Sequence, residues 1–561
     1  MQLHSTNIEI IWQRLISVAD QMSTNLARTA FSTVITASND YGCIIMDQDG
    51  NCIVHAERSL PIFNRTLPYC TKLIIERFKD SIFEGDIFIS NNPWENAGHN
   101  PDISIITPIF KDSKLIGFTA SVAHHADIGG SININQVSDC YEEGLMIPLL
   151  KIYEKNKVNS TLINLIKANV RLPEIIVGDI NAQISANKTG YKQCLNILSE
   201  YKLGNFESIS KEIFKRSDIA MRKAITKLPN GNYKSSVIVD ELDNPLTINC
   251  KLKVSNDSIL IDFDGTTVQQ PRGGINVTKT FTFGQVSYAL KAILIPDVPG
   301  NDGCYKSISV SAPLGCVLNA KFPASVSQRH RVGAHIFGTI LKSLYQIIPE
   351  NVISGSGFLV TSLVTAKSKD NDKYFHAYMF SAGGMGANNY SNGISTVQVP
   401  ALAGNVPVEL FELKVPILTT KREFIKDSCG NGKYRGGLAQ KVEFKLLPNF
   451  NGEATISIFA AGQNIKPFGL DGAHGGKTAE IIKNDIVLTK NEKLNEASSL
   501  SLADHYSSVG FETAGGGGYG NPKDRILENV LSDYKNDYIS LKNAKTIYGK
   551  KIKSEDKYNF S

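Results

Sequence analysis

The chain has 561 residues, 42% hydrophobic and 20% charged, proportions that exclude a disordered or fibrous protein. Lys and Arg number 59 against 54 Asp and Glu, a net charge of +5 that is too small over this length to imply a nucleic-acid partner. Glycine stands out at 45 residues and concentrates towards the C-terminal half.

The opening Met1-Gln2-Leu3-His4-Ser5-Thr6 has neither a basic nor an apolar leader segment, so no secretory signal is expected. No run of about 18 uncharged apolar residues occurs, which predicts no membrane-spanning helix and no membrane partner. Ile8, Ile11, Trp12, Leu15, Ala19, Met22 and Leu26 recur at helical spacing and predict a long amphipathic helix over residues 8–31. Two apolar runs at 43–46 and 52–54 flank Asp47-Gln48-Asp49-Gly50, a hairpin signature. Residues 85–90 read as a short strand that enters a polar loop at 91–100. Residues 102–110 and 115–123 read as two strands joined by a turn at 111–114. A helix is predicted over 173–203, with Ile176, Ile180, Ile184 and Ala186 along it, and the pattern changes at Leu203-Gly204-Asn205.

Residues 231–325 are strand-rich, with clean alternation at 235–239 and 258–263, and a helix at 280–295 interrupts them. A second helix is predicted at 331–347, ending before Pro349. From 352 to 514 short strands alternate with glycine-rich turns, a pattern of sandwich or barrel elements. The tail, 525–561, reads as helical and lysine-rich. The fold class expected is α+β, a multi-part mixed fold. An N-terminal helical and hairpin region, 1–204, carries the candidate metal site. A mixed strand and helix region, 205–350, follows, then a strand-rich, glycine-rich region, 351–524, and the helical tail, 525–561. The nine cysteines are odd in number and none shares C-x-x-C spacing. A disulfide framework or thiolate zinc site is not expected; buried reduced thiols in a cytoplasmic protein are.

The strongest chemical signal is His99-Asn100-Pro101-Asp102 followed, across the predicted strand pair, by His124-His125-Ala126-Asp127. Imidazole nitrogen and carboxylate oxygen together suit a borderline divalent ion such as Zn, Mn or Fe. Pro101 fixes a turn before the first strand, and the hairpin returns the end of the second strand to the same place. Matching the apolar faces of the two strands puts Asp102 with Thr119, Ser121 and His125. A bulge at the strand end would select His124 instead. Other candidates fade on inspection. Gly472 to Thr478 resembles a phosphate loop but has Asp471 where the pattern needs glycine. Gly515, Gly517 and Gly520 satisfy G-x-G-x-x-G without a β-α-β context. Ser327-Gln328-Arg329-His330-Arg331 could receive a carboxylate or phosphate, although a solvated helix start is the more common outcome for such a group.

Several motifs in order resemble the hydantoinase B family, which includes N-methylhydantoinase B subunits, the C-terminal part of 5-oxoprolinases and acetone carboxylase alpha subunits. They are Gly85-Asp86-Ile87-Phe88-Ile89-Ser90-Asn91-Asn92-Pro93, His99-Asn100-Pro101-Asp102, Ala123-His124-His125-Ala126-Asp127-Ile128-Gly129-Gly130 and Glu143-Gly144-Leu145-Met146-Ile147-Pro148. Later come Arg272-Gly273-Gly274-Ile275-Asn276, Tyr434-Arg435-Gly436-Gly437 and the run from Gly515 to Pro522. The resemblance implies a divalent metal held by His99, Asp102 and His124, with Asp40 as a fourth ligand. It selects His124 over His125 and so implies an irregular register near Ala123. His125 and Asp127 would move protons as catalytic residues.

The resemblance also implies a division of labour. This chain would be the B subunit of an ATP-dependent amidohydrolase opening a cyclic amide such as a hydantoin, lactam or 5-oxoproline. A hydantoinase A-type partner subunit would bind ATP and phosphorylate the substrate, making a hetero-oligomer. The alternatives are the large, alpha-type subunit of an ATP-dependent ketone carboxylase and a non-catalytic scaffold subunit.

Overall fold

The computed structural model describes residues 5–239, 244–488, 499–502 and 504–557. The expectations for residues 1–4 and 558–561 lie outside these. The chain divides into two compact units, residues up to Ser235 together with Asn249–Ile340, and Ser236–Ile248 together with Leu341 onward.

In the first unit, α1 (Ser5–Thr29) carries the predicted apolar stripe and is followed by the short α2 (Thr33–Thr36) and α3 (Phe63–Phe78). Three further helices are α4 (Ser160–Asn169), α5 (Pro173–Glu200) and α6 (Glu207–Ile225). The composition change near Leu203 marks the link between α5 and α6. Seven strands make one sheet: β1 (Tyr41–Asp47), β2 (Cys52–His55), β3 (Ile87–Ser90), β4 (Asp102–Lys111), β5 (Lys114–His124), β6 (Leu150–Glu154) and β7 (Lys157–Val158). Their order is β2-β1-β5-β4-β3-β6-β7, all antiparallel. The central strands β1, β4 and β5 are buried along nearly their whole length, so both faces are covered. Ile103 and Ile105 pack with Ile176, Ile180 and Ile184 of α5. Because side chains alternate along a strand, Asp102 and Ser104 face the opposite side.

This unit is completed by β8 (Gly231–Val239), β9 (Leu246–Ser255), β10 (Ser258–Asp262) and β11 (Ile308–Ser311), a second sheet, part of whose β8–β9 hairpin belongs to the other unit. Two helices follow, α7 (Lys279–Leu294) and α8 (Arg329–Tyr345). Helix α3 has no counterpart in the sequence reading: Pro68 inside it argues against a helix, yet Phe63, Leu67, Cys70 and Ile74 bury one face.

The second unit holds a four-stranded sheet, built on Val360–Ser368, Tyr374–Ser381, Gly452–Ala460 and Ser499–Leu502, and a five-stranded sheet centred on Gln440–Leu446 and Ser508–Glu512. The glycine runs between these strands are not the turns expected. Gly383, Gly384, Gly436, Gly437 and Gly515 to Gly518 are absent from the positive-φ glycines, so they do not supply turn geometry. They lie in irregular segments joined backbone to backbone. Gly384 N–H donates to Ala514 O, Gly516 N–H to Gly437 O and Gly430 N–H to Gly516 O. A Cβ on Gly384 would overlap the Gly437 carbonyl, and one on Gly436 the Gly516 carbonyl. Glycine is required there because two backbones approach too closely for any side chain.

Candidate metal centre

Three loops and one strand end build the site in the first unit. The loop over residues 91–100 is fixed by its own asparagines. Asn91 Nδ2 donates to the Asn100 carbonyl at 2.7 Å, and Asn96 Nδ2 donates to the Ser90 and Asp102 carbonyls. Pro101 turns the chain into β4, and its carbonyl accepts the His125 amide at 2.8 Å. In β4 and β5, Asp102 stands directly opposite His124. The register of β1, with Tyr41 opposite Ala123, places Asp40 next to His124, whose amide donates to the Asp40 carbonyl at 3.0 Å.

The face match that favoured His125 fails for an identifiable reason. The strand pair starts from the turn with Lys111 opposite Lys114, but a shift between Ile109 and Phe110 moves every later pair by one residue. The irregularity expected near Ala123 is therefore at the other end of the hairpin. Burial of both sheet faces had removed the alternation that would have revealed it.

His99, Asp102 and His124 come together, all buried, with one ligand atom from each within 4.8 Å of the others. His99 Nε2 lies 2.9 Å from Asp102 Oδ1. His99 Nδ1 is 2.8 Å from the Ser327 carbonyl, which can only accept, so Nδ1 carries the proton and Nε2 of the neutral ring its lone pair. Burial, with Arg329 nearby, lowers the His99 pKa; burial and the neighbouring His99 bring His124 down to about 3. Both rings are thus in the neutral form that ligates metals. At 2.9 Å from each other, His99 Nε2 and Asp102 Oδ1 have no other polar partner among the described residues. With the His99 proton on Nδ1, the pair offers two lone pairs that a shared cation would satisfy. Two bonds of about 2.1 Å at a right angle place their donor atoms about 3.0 Å apart, so the residues fit a divalent ion.

Sequence reasoning placed Arg329 in a group that could receive a carboxylate but favoured a solvated helix start and did not count it with the site. It is buried, its Nη2 donates to Asp102 Oδ2 at 2.6 Å, its Nε donates to the Ala97 carbonyl, and its guanidinium lies over Phe281. The segment 327–331 is therefore not a solvated helix start; it receives a carboxylate from within the chain. Burial disfavours the Asp102 charge, but His99 and Arg329 outweigh it and hold the carboxyl low, at about 2. Partly buried Asp40 goes the other way, up to about 8, because of burial and the Asp102 charge beside it. The next residue after Arg329, His330, is held well below the usual imidazole range by burial and by Arg329, and its Nε2 is buried without a hydrogen-bond partner among the described residues.

His125 and Asp127 point to other partners. The His125 ring Nε2 is 3.0 Å from Gln183 Oε1 on α5, the opposite face of the sheet from Asp102. The Asp127 carboxylate accepts from the Arg171 amide, from Arg171 Nη1 at 2.8 Å and from the Gly129 amide.

The sequence and the fold are similar to those of known proteins. The sequence profile of the hydantoinase B/oxoprolinase family matches residues 4–522, and the chain belongs to that family. It is 30% identical to a protein of Pseudomonas sp. (strain NS671) named as the B-type subunit of a D-/L-hydantoinase, over 99% of this chain and 96% of that one. The ATP-dependent caprolactamase structure from Pseudomonas jessenii matches with a TM-score of 0.88 at 24% identity, over 99% of this chain and 98% of that chain. A nucleotide-free acetone carboxylase structure matches at 0.87 and 18% identity, over 97% of this chain but 79% of that chain. At these identities the two structures speak for the fold alone. Among the described residues no helix is long and apolar enough to cross a membrane.

Proposed function

We propose that this chain is the B-type subunit of an ATP-dependent amidohydrolase that opens a cyclic amide, a hydantoin, lactam or 5-oxoproline. It works with a hydantoinase A-type subunit that binds ATP and phosphorylates the amide, so that the pair forms a hetero-oligomer. The reading is carried by the convergence of His99, Asp102 and His124 in a chain that spans almost the full length of a relative named as a hydantoinase B-type subunit.

His99, Asp102 and His124 hold a divalent metal ion (Zn, Mn or Fe), with Asp40 as a fourth ligand. Such an ion, when bound, lowers the pKa of a water and polarises a carbonyl carbon. Arg329 keeps Asp102 ionised and occupies its Oδ2, leaving Oδ1 for the ion. His125 and Asp127 hold the strand end to α5 and to Arg171, in place of the proton-moving role the resemblance implied. His330, next to Arg329, is held in the neutral form by burial and by Arg329, which makes it a poor proton acceptor at pH 7.

The test is co-expression with an A-type subunit and assay of ring opening on hydantoin, 5-oxoproline and caprolactam, with and without ATP. ATP-dependent opening of one ring is expected. A complex that opens none, and instead fixes labelled bicarbonate onto a ketone, would establish the carboxylase alternative. The relative named as a hydantoinase B-type subunit, matched over 99% of this chain and 96% of its own, favours the hydrolase.

A further inference from the structure

We infer that Glu143 is a positioning residue for the metal centre: it clasps the loop that sets the His99 tautomer and the Asp102 orientation. The inference rests on the reading of His99, Asp102 and His124 as metal ligands.

Glu143 is buried in the segment that follows Cys140, away from the ligand residues in sequence. Its Oε1 accepts two backbone amides of another loop, those of Val326 and Ser327, each at 2.7 Å. Both amides belong to the stretch that touches the ligands. The Ser327 carbonyl accepts from His99 Nδ1. The Val326 carbonyl accepts the amide of Arg329, whose side chain binds Asp102 Oδ2. One carboxylate oxygen thus fixes the peptide unit whose carbonyl receives the Arg329 amide and, through the Ser327 amide, the residue whose carbonyl receives His99.

The other side of the clasp is tied as well. Asn91 Nδ2 donates to the Leu145 carbonyl as well as to that of Asn100, and Asn91 Oδ1 accepts the Ile147 amide. Asn100 Nδ2 reaches the carbonyls of Cys140 and Gly144. The segment around Glu143 therefore bridges the loop that bears His99 and the loop that bears Ser327 and Arg329. A shift of either loop would cost His99 its acceptor at Nδ1, and with it the fixed presentation of Nε2. Partners bonded directly to a metal ligand, as the Ser327 carbonyl is to His99, typically change metal affinity by about 10–100-fold when removed, and Glu143 acts one bond further out, at the lower end of that range.

Glu143→Gln keeps the size and one acceptor oxygen but loses the charge that strengthens two amide hydrogen bonds; burial raises the Glu143 pKa to about 7, so the two proteins are compared at about pH 8, where the parent carboxyl is ionised. The experiment titrates the whole protein, stripped of metal, with Co(II) and records the visible bands of the bound ion. Glu143→Gln is expected to weaken Co(II) binding about 10-fold and to shift the bands, and Glu143→Ala to weaken it further. Ser325→Ala is the control, because Ser325 Oγ accepts the Gly274 amide and anchors the same loop without touching the ligand-bearing peptides. It should leave the bands in place. Parent affinity and parent bands in Glu143→Gln would overturn the inference, as would an equal shift in Ser325→Ala. If Glu143→Ala does not fold, the Gln variant decides alone. If the parent itself takes up no Co(II), the metal reading falls first, and this inference with it.

Discussion

Replacing Arg329 by methionine removes a buried guanidinium while keeping most of the side-chain volume. Three contacts go: the 2.6 Å ion pair with Asp102, the hydrogen bond to Ala97 and the stacking over Phe281. What remains is a carboxylate that is only 1% exposed and has lost its cation. Breaking one side of a buried pair costs about 3–5 kcal/mol, most of it the penalty of the charge left behind. The carboxyl escapes part of that penalty by binding a proton, so its pKa rises from its present low value. A metal ion at Oδ1 compensates the same charge by another route. Arg329→Met should therefore be destabilised by about 3 kcal/mol or more in chelator and by clearly less with Mn or Zn present. Urea unfolding of the parent, Arg329→Met, Asp102→Asn and the double variant gives the coupling directly. A coupling of about 2 kcal/mol or more is expected in chelator. Additive effects, or an Arg329→Met midpoint equal to the parent's with and without metal, would refute the role of Arg329 as the cation that keeps Asp102 ionised.

Metal analysis should separate the two adjacent histidines: His99→Ala, Asp102→Asn and His124→Ala lose the bound ion, while His125→Gln keeps it. Metal content equal in His124→Ala and parent would move the ligand to another residue. Asp40 has a folded-state pKa of about 8 against an ordinary 3.8, so the native state holds a proton that the unfolded chain has released. Its contribution is present below about 4 and is lost as pH rises through about 8, so the metal-free protein should weaken over that window. Metal uptake at pH 7 should release that proton, which calorimetry in two buffers of different ionisation enthalpy detects; no release would exclude Asp40 as a ligand. Gly436→Ala should yield no folded second unit, since the added carbon meets the Gly516 carbonyl, a cost above about 3 kcal/mol; Gly204→Ala, with open space around it, should be neutral in the same thermal melt.

Much of the fold was legible. Helices α1, α5, α7 and α8 lie within a few residues of the expected positions because their apolar periodicity survives in the sequence, and β1–β2 and β4–β5 do so because turn residues separate their apolar runs. The register of β4 against β5 was not legible. Both faces of those strands are buried, so alternation carried little information, and a single shift at Ile109 reversed the pairing. Arg329 and Glu143 were missed as site residues because each acts over a long span of chain. Arg329 meets a carboxylate 227 residues away, and Glu143 meets two amides 183 and 184 residues away.

The sequence by itself determined the ligand types, their order along the chain and the family to which that order belongs. The spacing of His99, Asp102 and His124 is local to one hairpin, and a hairpin can be read from its turn and its two strands. Only the tertiary structure decided how His124 comes to face the aspartate, which cation neutralises it and which carbonyl fixes the His99 ring. It also decided why glycine is in excess. Those residues stand where two backbones meet without room for a Cβ, a constraint that exists only once distant segments have packed.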